Sequence, residues 1–293
     1  MSKHAALQSA LIIILSAMLM LGMVYPYLAG QYDALAVGLS ALIQVFAILA
    51  VVWMPVGILW SVAELRWARR RRRALPVQTS AFLFGWATVV LGSLIAGLLA
   101  MLANFVLGRA LALGIIMAWG WGVWRVFPRL QALRHNPTIH YNPFALGMCA
   151  LIVSLWVVQT VGAQPLTQFS RARAIAQSSE LIRDIEAYYR MNESYPLSLL
   201  AVYADYETGV VGIPQYHYAQ HGDAYMLSFE QPRFVLDDLG VREMVVYHPH
   251  DRHSMISHAS WILLLPPSQL NRSQGWFASE DAPTPHWKYF WFD

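Results

Sequence analysis

Five runs of apolar residues, each close to twenty long, crowd the first 163 positions of this 293-residue chain, and no other feature restricts its fold as severely. Inside a bilayer a backbone amide has no water to bond, so a lone spanning segment must be a helix. About 20 apolar residues carry a helix across the hydrocarbon core. Residues 5–27, 35–62, 81–107, 110–127 and 144–163 meet that length or come close to it. Arg109 divides the third run from the fourth, and Gly108-Arg109-Ala110 is read as a tight link between two helices. The alternative is one long kinked helix over residues 81–127.

Because the apolar residues come in blocks, the composition of 57% hydrophobic and 13% charged averages a membrane half with a half that is not membrane. The first run carries one Lys before it and has a poor cleavage context at Tyr25-Pro26-Tyr27, so it is expected to be retained and not removed as a signal peptide. Lys3, Arg66, Arg69 to Arg73, Arg125, Arg129 and Arg134 fall in alternate loops, which by the bias of basic residues toward the cytoplasm predicts N-in, C-out. Residues 164–293 then lie outside the cytoplasm. They hold nine Lys or Arg against fifteen Asp or Glu, a net of −6, so the whole-chain charge of +3 does not point to nucleic acid. The single cysteine, Cys149, falls in the fifth run, and the outer part has to be held by its core without a disulfide.

The spans carry few polar side chains, chiefly Gln44, Thr88, Asn104 and Gln159, with Glu64 and Arg109 at ends. Ion and proton paths are marked by intramembrane charge, so a transporter or pump is not expected. Gly92, Ala96 and Ala100 recur every four residues, as do Gly114, Ala118 and Gly122. Each set is a small-residue face suited to close helix packing, in a hairpin of the two helices or between two copies of the chain. Trp53, Trp60 and Trp67 lie seven apart, and Trp119, Trp121 and Trp124 cluster further on; some are expected as interfacial anchors. The Arg69 to Arg73 run is read first as a topology determinant and second as a contact for lipid head groups.

Beyond the fifth run, Ile175, Ile182, Ile185 and Tyr189 keep one face of a helix while Arg183, Asp184, Glu186 and Arg190 fall elsewhere, which predicts an amphipathic helix over residues 166–191. Asn192-Glu193-Ser194 ends it, and Tyr195-Pro196 turns the chain away because a residue before proline avoids the helical region. Residues 216–218, 224–229, 243–247, 260–265 and 287–292 are apolar or aromatic runs bounded by turn residues, expected as an antiparallel sheet packed on that helix.

Arg171-Ala172-Arg173-Ala174, then Leu181 to Tyr188 and Tyr189, then Tyr195-Pro196-Leu197-Ser198-Leu199-Leu200 resemble the stretch that ends the long helix of type IV pilins and type II secretion pseudopilins. With Phe144 set at the first residue of a mature pilin, Pro165 falls where that family has its helix-kinking proline and Tyr195-Pro196 near the usual helix end. The resemblance covers residues 142–203 well and the remainder in outline. It implies a fifth transmembrane helix continuous with a periplasmic α+β domain over residues 142–293, behind a four-helix transmembrane region over residues 1–141. Two departures stand out: Pro143 replaces the glycine before the family's cleavage site, and Met148 replaces the glutamate used in subunit assembly. The resemblance with these departures implies neither processing nor ordinary polymerisation.

His248-Pro249-His250-Asp251-Arg252-His253 is the metal candidate, since imidazoles and a carboxylate converging on an open position suit Zn²⁺ or Cu²⁺. A solvated turn is the competing reading. Asp237-Asp238 before Gly240, or Glu280-Asp281, offer oxygen ligands for Ca²⁺, although no spacing forms a recognisable calcium loop. Ser254, His253 and Asp251 are too close in one loop to form a hydrolase triad. Trp276, Phe277, Trp287, Tyr289 and Trp291 concentrate aromatic surface in the last turn and strand and are candidate partner anchors, or else the buried face of a terminal strand.

These readings together predict a bacterial inner-membrane protein, with no catalytic residues and no cofactor, acting as an assembly or interaction subunit among membrane or envelope proteins. Alternatives are a periplasmic ligand or metal sensor, and an accessory subunit of a membrane transporter or enzyme complex.

Overall fold

Pro55, Gly108 and Pro165 punctuate the apolar half, and the local structure around each follows from its chemistry. The computed structural model describes residues 3–72, 81–135, 143–202, 206–221, 223–237, 241–253 and 277–292. Among the described residues five helices are long and apolar enough to cross a membrane: Ala6–Tyr27, Ala36–Arg70, Ala81–Val106, Arg109–Gln131 and Phe144–Asn192. The chain divides into two compact units, Met1–Met23 with Gly38–Thr160, and Val24–Val37 with Val161–Asp293.

The first unit is helical. Helix α1 (Lys3–Val24) precedes α2 (Ala36–Ala50) and α3 (Met54–Arg72), which are joined by a single 3₁₀ turn, Val51–Trp53. Pro55 explains the tightened turn, since it has no N–H to return to the preceding turn and its ring crowds the carbonyl there. Trp53, Trp60 and Trp67 are all buried, so this stripe faces inward and is not a set of interfacial anchors. Glu64, expected at a span end, is also buried and accepts a hydrogen bond from Trp60 Nε1 at 3.4 Å.

Helices α4 (Ala81–Val106) and α5 (Arg109–His135) are separate, because Gly108 adopts φ +93° and the Leu107 and Gly108 amides both donate to the Ala103 carbonyl, each at 2.9 Å. A positive φ is open to glycine without steric cost. The hairpin packs large against small: a Cβ on Gly92 would lie 2.2 Å from the Trp119 ring, and one on Gly85 2.3 Å from Leu130. Leu42, Ala100, Ala103 and Ala112 form the adjoining core. The expected glycine face of α5 is not used this way, since Gly114 and Gly122 have no atom within 4 Å of an added Cβ. Trp121 and Trp124 are exposed, with the Arg125 guanidinium 5.2 and 6.0 Å from their rings.

The chain is helical from Phe144 to Asn192 as α6 (Phe144–Val157), a π turn (Val158–Gly162) and α7 (Ala163–Asn192). Pro165 enters at the third residue of α7, directly after the π turn, the type of irregularity that absorbs a missing amide and a ring clash. Helix α7 ends on Glu193 at φ 52°, whose N–H donates to the Tyr189 carbonyl at 2.8 Å.

In the second unit α7 lies on an antiparallel sheet that, among the described residues, has five strands in the order β1-β2-β3-β5-β4, with β1 His217–His221, β2 Ala224–Gln231, β3 Arg242–Tyr247, β4 Phe277–Asp281 and β5 Trp287–Phe292. Strand β4 was not expected, and residues 260–265, expected as a strand, lie outside the described residues. Directly paired residues share a face, so the register stacks three rows across β2, β3 and β5: Leu227, Tyr247 and Trp287, then Phe229, Val245 and Tyr289, then Gln231, Glu243 and Trp291. The first two rows form the core with Ala174, Ile175, Leu181 and Ile185 of α7. Burial of each large apolar side chain there stabilises by about 1.5–3 kcal/mol. The third row is polar.

Candidate functional site

At that third row the inner face of the sheet carries a carboxylate with no solvent exposure, Glu243, and a buried carboxylate is strongly destabilising without partners. Helix α7 supplies the main one. Arg171 donates from Nε to Glu243 Oε1 at 2.5 Å and from Nη2 to Oε2 at 2.6 Å, a two-pronged pairing that suits the planar guanidinium. Trp291 Nε1 donates to Oε2 at 3.0 Å, and Arg233 Nε stands 3.8 Å from the same oxygen. The Arg171 guanidinium also lies 4.5 Å from the Tyr289 ring centre. Beside it Gln231 Nε2 donates to Ser170 Oγ at 2.5 Å, adding a second link from sheet to helix.

At the opposite end the residues after α7 dock on the sheet through aromatic rings. Tyr195 stacks on Tyr189 at 4.3 Å and leans on Tyr225 at 5.0 Å, and Tyr218 Oη donates to the Pro196 carbonyl at 2.6 Å. Tyr195 and Pro196 are buried, Tyr188 is half-buried and Tyr189 is more exposed. Burial pushes the Tyr195 phenol up to about 12, helped by the nearby negative charge of Glu186, and burial does the same to Tyr218. Met191, Leu197 and Leu200 are left at 77%, 88% and 81% exposure in the same stretch.

A third feature was not foreseen. The segment Val24–Val37, which links the first two apolar helices, belongs to the second unit and is held there by main-chain bonds. Gly30 N–H donates to the Gly209 carbonyl at 3.1 Å, Val211 N–H to Leu28 at 3.0 Å, Asp33 N–H to Val211 at 3.0 Å and Gly212 N–H to Pro26 at 2.8 Å. Tyr27, 1% exposed, stacks on Phe234 at 4.7 Å with the rings 13° apart. Gly212 is required by this approach, since a Cβ there would sit 2.6 Å from the Pro26 carbonyl oxygen.

The structure gathers some of the candidate residues and scatters others. His248 is buried, and its Nδ1 accepts backbone N–H bonds from His250 at 3.1 Å and Arg252 at 3.3 Å, a turn-stabilising role. His253 Nε2 is 2.9 Å from the His286 carbonyl oxygen, and His286 Nδ1 is 3.0 Å from Asp251 Oδ1. Among the described residues no group of three or more His, Cys, Asp or Glu side chains is arranged to hold a metal ion. Asp281 pairs with Lys288 at 3.2 Å, and Asp238, Gly240 and Ser254 lie outside the described residues. Of the aromatic anchors, Trp287 and Tyr289 are buried in the unit's own core and Trp291 is committed to Glu243, so these three face inward. Trp276 and the side chain of Phe277 are outside the described residues.

Phe144 and Met148, the positions that the resemblance places at the pilin start and at its missing glutamate, lie within the helical unit, with Phe144 6.0 Å from the Trp60 ring. Comparison of the chain with family models, curated proteins and solved structures returns no match.

Proposed function

We propose that this chain is a membrane-resident assembly or interaction subunit, in which a pilin-like domain is held permanently at the bilayer outside the cytoplasm of a bacterial cell. The observation that carries the reading is the segment Val24–Val37, bonded through its main chain into the α+β unit. That unit is thereby tethered by the first, second and fifth apolar helices, whereas a pilus subunit has to leave the bilayer on one. Pro143 and Met148, in place of the residues the resemblance associates with processing and polymerisation, agree with a subunit that stays.

Topology supports the same reading. Between Val37 and Val161 the chain passes through four apolar helices, an even number, so both stretches of the α+β unit return to one side of a membrane. The loops rich in Arg fall on the other side, which by the positive-inside bias is the cytoplasm. Partner contact falls to the exposed Met191, Leu197 and Leu200 after the inward-facing aromatic tail is set aside. The partners are membrane or envelope proteins, of which secretion or pilus components fit the resemblance.

The test is intact-mass analysis of the tagged chain from native membranes, together with protease protection in spheroplasts. An uncut N terminus and digestion of the α+β unit from outside are expected. Cleavage before Phe144, or protection of that unit, contradicts the proposal.

A further inference from the structure

The helical unit forms a partly open cavity of about 640 Å³ whose walls come from all five apolar helices. It is lined by small residues, Gly92, Ala96 and Ala118, and by bulky ones such as Trp53, Met148 and Ile152. The size lies within the roughly 300–1,000 Å³ of ordinary ligand pockets.

The walls leave a polar ligand nothing to bond. The Trp53 indole N–H donates to Thr88 Oγ1 at 2.9 Å, and that hydroxyl donates to the Phe84 carbonyl at 2.9 Å. The Trp119 indole N–H donates to Ser93 Oγ at 3.0 Å. Sugars, nucleotides, head groups and the carbonyl ring of a quinone would each lose hydrogen bonds on entry without replacement, at about 1–3 kcal/mol for each group left unpaired. Pure hydrocarbon loses none. The cavity is partly open, and the medium around helices of this composition is itself hydrocarbon, so an acyl chain can enter it from the bilayer.

We infer that the cavity is a site for one acyl chain of a membrane phospholipid, held between the helices as a fixed part of the fold. Met148 lends the wall a flexible thioether that adapts to the chain. The inference rests on the five membrane helices and is independent of the assembly role.

The test is lipid extraction and mass spectrometry on full-length protein purified in mild detergent and washed by detergent exchange. One phospholipid per chain is expected. Ala118→Phe, which grows a ring into the cavity from an exposed helix, is expected to lower retention about tenfold. Val90→Phe, at a position 59% exposed and away from the cavity, leaves it unchanged. As a readout that needs no variant, a phospholipid carrying a mid-chain photoreactive group, retained through the same washes, crosslinks to Met148, Ile152 or Leu99. Wild-type protein free of phospholipid, equal retention by both variants, crosslinks elsewhere, or an isoprenoid recovered in place of the phospholipid would each overturn the inference.

Discussion

Arg171 on the long helix and Glu243 on the middle strand form a two-pronged ion pair, the two side chains being 14% and 0% exposed. The carboxylate is fully desolvated, so the pair fixes where helix α7 sits on the sheet more than it adds net stability. Replacing Glu243 by Gln, or Arg171 by Met, removes the main partner of a buried charge, with Arg233 at 3.8 Å left beside Glu243 in the second case, and should cost about 3–5 kcal/mol. The double replacement should cost less than the sum of the singles. Denaturant unfolding followed by near-ultraviolet circular dichroism on all three variants reads the coupling directly.

This pair also marks the limit of what the residues alone disclose. Glu243, Val245 and Tyr247 alternate onto one face of a strand, and a carboxylate on a face shared with Val and Tyr asks for a cation. Arg171 and Arg173 both stood on the helix, and only the register of helix on sheet selects Arg171. The five apolar helices were legible as apolar runs of spanning length, and the amphipathic helix because burial of one face writes a periodic pattern. Strand β4 was not, because Phe277-Ala278-Ser279-Glu280-Asp281 is an edge strand with one large apolar side chain and no alternation. Docking of Val24–Val37 left no periodic pattern, since apart from the Tyr27 ring on Phe234 it is held by bonds between main-chain atoms. For a related reason the residues alone leave the aromatic tail open between a partner surface and a buried strand face: aromatic residues in a terminal strand look alike in either place.

Gly212→Ala drives a methyl group against the Pro26 carbonyl oxygen and should loosen the docked segment, at a cost of about 1–3 kcal/mol. Hydrogen exchange is the measurement. The Gly30 and Asp33 amides, which donate to Gly209 and Val211, should lose protection while β2 and β3 keep theirs.

Burial pushes the Tyr195 and Tyr218 phenols up to about 12 in the folded protein, against an ordinary value of 10. Both phenols are therefore favoured in their protonated form by folding, and that contribution is complete below pH 10. Above pH 10 the unfolded chain releases the protons first, so stability falls as pH rises toward 12. Thermal melts across pH 9 to 12 should show a progressive loss, and Tyr218→Phe should reduce its slope.

Leu197→Asp with Leu200→Asp changes two side chains that are almost wholly exposed, and stability should stay within about 0.5 kcal/mol of the parent. Association with the membrane partner should fall at the same time. A variant that melts early instead would mean that these leucines serve the fold.

The assembly role is tested most directly by purifying the C-terminally tagged chain from native membranes in gentle detergent and quantifying what accompanies it by mass spectrometry. One or more envelope proteins, of secretion or pilus type, are expected in stoichiometric amount, and are expected to be lost from the Leu197→Asp, Leu200→Asp variant. A chain that emerges alone, with no protein in constant ratio to it, would contradict that role.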